Sequence, residues 1–91
     1  MTRVRYEPTL PALEMDGHAG AGKRGRDPVC AALSILLFTL ADANEASTLR
    51  LSDGYARVAG GEKRDYALIV RGCKLLAENY PQYVRYEEVK P

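Results

Sequence analysis

Two side chains suited to nucleophilic chemistry stand close together in the sequence. They are His18, the only histidine, and Cys30, one of two cysteines. Between them runs GHAGAGKRGRDPVC, residues 17–30, which holds four glycines, three basic residues and an Asp-Pro pair. Asp27 is a good helix N-cap and Pro28 a good first helical residue, so a helix should begin at Pro28. Cys30 then occupies its third position, where the positive end of the helix dipole favours a thiolate. Lys23, Arg24 and Arg26 add positive charge nearby. Asp27 opposes that effect by its own charge while holding the turn. His18, at the end of a predicted strand, has the chemistry of a general base that later returns its proton to a leaving amine. Main-chain N–H groups at the helix start could form an oxyanion hole. Gly20, Gly22 and Gly25 would let the loop open and close over a peptide. Taken singly, Cys30 also reads as a buried helix thiol and His18 as a surface histidine.

Three other readings fit the loop less well. Residues 17–24 nearly spell a P-loop, but Arg24 stands where a hydroxyl must coordinate Mg²⁺, and the helix starts several residues too late. Gly20, Gly22 and Gly25 match G-x-G-x-x-G, with Glu45 further on. In a dinucleotide site, however, the third glycine lies inside the helix, whereas Gly25 precedes the cap. A metal site built on His18, Cys30 and Asp16 or Asp27 lacks a paired ligand motif and falls short of four ligands. No metal and no cofactor are expected.

These residues need elements to position them. TRVRY (residues 2–6) alternates as a strand, EPTLP turns the chain, and ALEM (residues 12–15) forms a second strand. The helix from Pro28 to about Asn44 is apolar almost all round, which predicts a buried, central helix. TLRLS, the Asp53-Gly54 turn and YARVAG form a hairpin. The stretch containing Tyr66, Ile69, Val70, Cys73, Leu76 and Ala77 has helical spacing, so Cys73 packs in its apolar stripe. Arg71 and Lys74 fall on its solvated face. Residues 83–89 form a last strand. Tyr80, Tyr83 and Tyr86 near it suit packing or dimer contacts. The order ββαββαβ predicts an α+β two-layer sandwich, with a mostly antiparallel sheet and two helices on one face.

The chain has 91 residues, enough for a single domain over 1–91. A formal net charge of +1 gives no reason to expect nucleic-acid binding. The apolar run from Val29 to Ala41 is too short for a membrane span of ~20 residues. MTRVRYEP lacks the apolar core of a signal peptide. A cytoplasmic protein with reduced thiols and no membrane partner is expected.

The stretch MDGHAGAGKRGRDPVCAALSILLF resembles the Prp (YsxB-like) family of ribosomal-processing cysteine proteases. The family pattern is Gly-His, a glycine-rich loop, Asp-x-Val-Cys-Ala and a serine one helical turn on. It falls on Gly17-His18, residues 19–26, residues 27–31 and Ser34, with His18 and Cys30 twelve positions apart. The resemblance implies that Cys30 is the nucleophile and His18 its base. Asp27, Ser34 and Gly17 match the family's supporting positions. It also implies a homodimer whose glycine-rich loop moves. The implied substrate is the precursor of the twenty-seventh large-subunit ribosomal protein, from which an N-terminal extension ending in a Gln-Phe-Phe-type segment is removed. The chain departs from the pattern in its basic loop (Lys23, Arg24, Arg26) and in Pro28, where an aliphatic residue is usual. Two alternatives remain at this point: the same fold acting on phage virion proteins, and a non-catalytic ribosome-associated protein that binds through the basic loop.

Overall fold

The computed structural model describes residues 1–23 and 25–90. Its elements are β1 (Thr2–Glu7), β2 (Ala12–Asp16), α1 (Pro28–Ala43), β3 (Thr48–Ser52), β4 (Tyr55–Ala59), α2 (Lys63–Asn79) and β5 (Val84–Glu88). The strands form one sheet in the order β3-β4-β2-β1-β5. Every pairing is antiparallel except β1 with β5. The antiparallel pairs β1–β2 and β3–β4 close through short turns, whereas β2 and β4 meet across the connection that holds α1 and β3. The parallel β5 reaches the sheet edge only after α2 has carried the chain back over the sheet. The ββαββαβ sandwich expected from the sequence is therefore the observed fold.

The pleat sends alternate strand residues to opposite faces. Val4, Tyr6, Leu13, Met15, Val58 and Val84 pack toward the helices. On the other face Arg57 forms an ion pair with Glu14 at 3.0 Å, and Glu7 stands at 3.7 Å from the same nitrogen. From above the sheet α1 contributes Val29, Leu33, Leu37 and Leu40, and α2 contributes Tyr66, Ile69, Val70 and Cys73. Burying one such aliphatic side chain stabilises the fold by about 1.5–3 kcal/mol. Cys73 is fully buried, and desolvation pushes its thiol up to about 12. It packs, as its place on the apolar stripe predicts.

The expectation of an α1 buried all round needs correction. Ile35 is 63% exposed and Phe38 43%. A two-layer sandwich gives α1 a sheet below and α2 beside it, but no third layer to cover its outer side. The apolar excess of α1 is therefore partly surface.

Asn44 ties the end of α1 to the start of α2. It is 2% exposed. Its Oδ1 accepts from the Glu62 N–H at 3.1 Å, and its Nδ2 donates to the Glu62 carbonyl at 2.9 Å. Its own carbonyl accepts from the N–H and hydroxyl of Ser47. Asn44→Ala removes both side-chain bonds and is expected to cost about 1–3 kcal/mol. In a domain of this size that lowers Tm by roughly 4–8 °C per kcal/mol. A thermal melt of the variant within two degrees of wild type would contradict this role.

Candidate active site

The site begins where β2 ends. Gly17 has φ +90, and a Cβ added there would meet the Met1 carbonyl oxygen at 2.6 Å, so both the dihedral and the space call for glycine. Its N–H donates to the Gly54 carbonyl at 2.7 Å, and its carbonyl accepts from the Thr2 hydroxyl at 2.9 Å. The Met1 amino group donates to the His18 carbonyl at 2.7 Å. The backbone that carries His18 is thus held between the start of β1 and the β3–β4 turn. The imidazole is 59% exposed and lies against that turn, since a Cβ at Gly54 would stand 3.3 Å from Nε2.

Cys30 is the third residue of α1 and half-buried. Its Sγ accepts the Ala19 N–H at 3.1 Å. Asp27 caps the helix as its sequence position predicts. One carboxylate oxygen accepts from the N–H groups of Val29 and Cys30, each at 3.0 Å, and the other accepts from Ala21 N–H at 3.0 Å. One side chain therefore starts the helix, sets Cys30 on it and fastens the loop that leads away from His18.

The Cys30 N–H does most to hold the Asp27 carboxyl below its ordinary 3.8. Burial opposes it, while the Ala21 N–H, the Cys30 thiol and the Val29 N–H add to it. Because the folded value lies below the unfolded one, the stabilisation is fully present above the unfolded value. It is lost as pH falls through the folded value. Asp27→Asn should therefore melt below wild type at neutral pH, with the gap closing in acid below 3.8. Paired melts across that range check this, and a gap that persists unchanged in strong acid would contradict it.

The same cap corrects one expectation. An oxyanion hole is expected from main-chain N–H groups at the helix start, but those of Val29 and Cys30 already donate to Asp27. The Ala31 N–H closes the first helical turn on the Asp27 carbonyl at 3.0 Å. The Ala19 N–H is spoken for as well, by the Cys30 sulfur.

His18 and Cys30 line one cleft of about 230 Å³ between α1 and the β3–β4 hairpin. Ser34, one turn after Cys30, lines it too, and Phe38 and Leu51 provide apolar wall further along. Sequence reasoning thus named four lining residues: Gly17, His18, Cys30 and Ser34. Of the loop glycines, Gly20 and Gly25 have φ +80 and +82 with open space around them. Gly22 instead packs closely, since a Cβ there would meet the Arg26 carbonyl at 2.5 Å. Lys23 and Arg26 are exposed. Arg24, the third basic residue of the loop, lies outside the described residues. Sequence reasoning missed the hairpin's part in the site, because Asp53-Gly54 signalled only a turn. Among the described residues no group of three or more His, Cys, Asp or Glu side chains is arranged to hold a metal ion. Among them, too, no helix is long and apolar enough to cross a membrane.

A thiol at a helix start, an imidazole in the same cleft and an apolar wall beyond are the parts of a cysteine peptidase. The chain belongs to the family described as cysteine protease Prp, whose family model matches residues 1–85. A ribosomal processing cysteine protease Prp from Mycoplasma pneumoniae is 28% identical over 85 residues, covering 84% of this chain and 85% of the relative. The crystal structure of SMU.848 from Streptococcus mutans superposes with TM-score 0.77 at 27% identity, over 99% of this chain and 93% of that one. The S. aureus protease Prp, solved with a covalently linked product peptide, gives TM-score 0.86 at 21% identity, over 98% and 100% of the two chains, and supports the fold. Membership of a protease family sets aside the non-catalytic binding protein.

Proposed function

We propose that Cys30 is the nucleophile and His18 the proton shuttle of an endopeptidase. Its substrate is the precursor of the twenty-seventh large-subunit ribosomal protein, which loses its N-terminal extension. The observation that carries this reading is the shared cleft, with thiol and imidazole toward one end and Phe38 and Leu51 beyond. Its apolar wall suits the Phe-Phe segment that the family resemblance implies. The named activity of the Mycoplasma pneumoniae relative supports a ribosomal substrate.

In the reaction His18 takes the thiol proton, and the Cys30 sulfur bonds to the scissile carbonyl carbon. The carbonyl oxygen becomes an oxyanion. Collapse breaks the C–N bond, and the imidazolium gives its proton to the departing amine. Water then gives a proton to His18 and adds to the thioester, releasing the carboxylic acid and restoring the thiol. Asp27 keeps Cys30 at the helix start, and the loop glycines Gly20, Gly22 and Gly25 move to admit the chain being cut.

The protein works in the cytoplasm as a homodimer of one domain per chain. Exposed Ile35 on α1, Leu68 on α2 and Leu49 on β3 support a second copy as their cover. A fluorogenic peptide carrying the Phe-Phe/Ala-type junction tests the function. Cleavage at that junction, with a peptide whose two phenylalanines are replaced by serine left intact, is expected. Equal cleavage of both peptides would defeat the substrate assignment.

A further inference from the structure

We propose that Asp53, at the tip of the β3–β4 hairpin, is a positioning residue for His18: its carboxylate orients the imidazole and offsets the charge that the ring acquires when it takes the Cys30 proton. This rests on the reading of Cys30 and His18 as nucleophile and base.

Three observations meet at the hairpin tip. The Asp53 Oδ1 lies 4.0 Å from His18 Nε2. The tip is fastened to the histidine segment, because Gly17 N–H donates to the Gly54 carbonyl at 2.7 Å and the ring lies against Gly54. Shifting the hairpin therefore shifts the histidine with it. Third, the turn does not need a left-handed residue at position 53. In tight hairpin turns Asp before Gly is favoured because it tolerates positive φ. Among the described residues no non-glycine residue has positive φ, and Gly54 supplies the left-handed position at φ +69. Position 53 thus carries its carboxylate near His18 on a backbone that is not left-handed.

The chemistry follows from the two ring nitrogens. A carboxylate facing Nε2 favours the tautomer that carries its proton there, leaving the other nitrogen's lone pair for the thiol. When the ring becomes an imidazolium the same carboxylate stabilises it, as the aspartate of a nucleophile–histidine–aspartate triad does. At 4.0 Å the contact is an ion-pair distance, and catalytic contacts commonly tighten once substrate is bound. The two side chains are 59% and 73% exposed, so in the free protein water screens the pair. Substrate lying in the cleft displaces that water and strengthens the attraction. The benefit therefore falls on turnover rather than on substrate binding.

Asp53→Asn and Asp53→Glu, assayed with the junction peptide beside Cys30→Ala, test this. Asparagine keeps a turn-forming side chain and loses the charge, while glutamate keeps the charge. The expected result is a fall in kcat of about 10–100-fold for Asp53→Asn, below the 10²–10⁴-fold of general-base removal. KM should stay within about twofold of wild type and Tm should not change. Asp53→Glu should recover most of the lost kcat. The proposal is overturned if kcat is unchanged in Asp53→Asn, or if both variants lose activity equally. Turnover surviving in Cys30→Ala would instead defeat the nucleophile assignment itself. Loss in Cys30→Ala with none in Asp53→Asn would leave the Cys30–His18 reading standing and remove Asp53 from it.

Discussion

Cys30→Ala is expected to abolish peptide cleavage while leaving the fold and substrate binding intact. The expected fall in kcat is on the order of 10⁶-fold, the scale seen when a covalent nucleophile is removed from a hydrolase that works through an acyl-enzyme. Nothing else in the cleft replaces the sulfur. Hydroxyl groups line the cleft as well, that of Ser34 one turn along the helix among them, but a serine hydroxyl is a far weaker nucleophile than a thiol at neutral pH. Structural cost should be small. Cys30 is half-buried, and its sulfur accepts a single backbone hydrogen bond, from Ala19. Its backbone N–H would still be held by Asp27. Steady-state cleavage, a thermal melt and anisotropy of a labelled junction peptide together check the claim. Residual turnover within tenfold of wild type, with no contaminating peptidase, would contradict it.

His18→Ala is expected to lower kcat by about 10²–10⁴-fold, the range for removing a positioned acid–base group. The ring is largely exposed and its segment is held through backbone bonds of Gly17 and His18 rather than by the imidazole. The variant should therefore fold and melt close to wild type. Because nucleophile and base act as one unit, the double variant Cys30→Ala/His18→Ala should be no slower than Cys30→Ala alone. That non-additivity separates a working pair from two independent contributions. Matching losses that multiply in the double variant would count against a shared step.

Much of this site could be read from local chemistry. Asp27-Pro28 marks a helix start through capping and a missing donor, two short-range effects, and α1 begins at Pro28. Cys73 is placed by helical spacing, and His18 and Cys30 by a short motif that a single loop brings together. What stayed hidden depends on contacts between distant segments. Hydrophobic periodicity carries no sign of the parallel β1–β5 pairing, which exists only because α2 crosses the sheet. The apolar sequence of α1 suggested burial all round, but periodicity measures what a helix could bury, not how many layers are there to bury it. Ile35 and Phe38 are exposed for that reason. Asn44 looked like the residue at which a helix stops, and its bonds to Glu62 appear only once α2 is packed beside α1. The free N–H groups expected at the helix start were already committed, because Asp27 both caps and fills that position.

The chemistry assigned to the cleft comes down to one sulfur, and following its alkylation against loss of activity tests that most directly. Native protein is treated with iodoacetamide at neutral pH, and samples are divided between peptide mapping and the cleavage assay. The account predicts that Cys30 is carboxamidomethylated first, that activity falls in step with that modification, and that Cys73, buried with its thiol pushed up to about 12, stays unmodified until the protein is unfolded. Full modification of Cys30 with cleavage undiminished would contradict it.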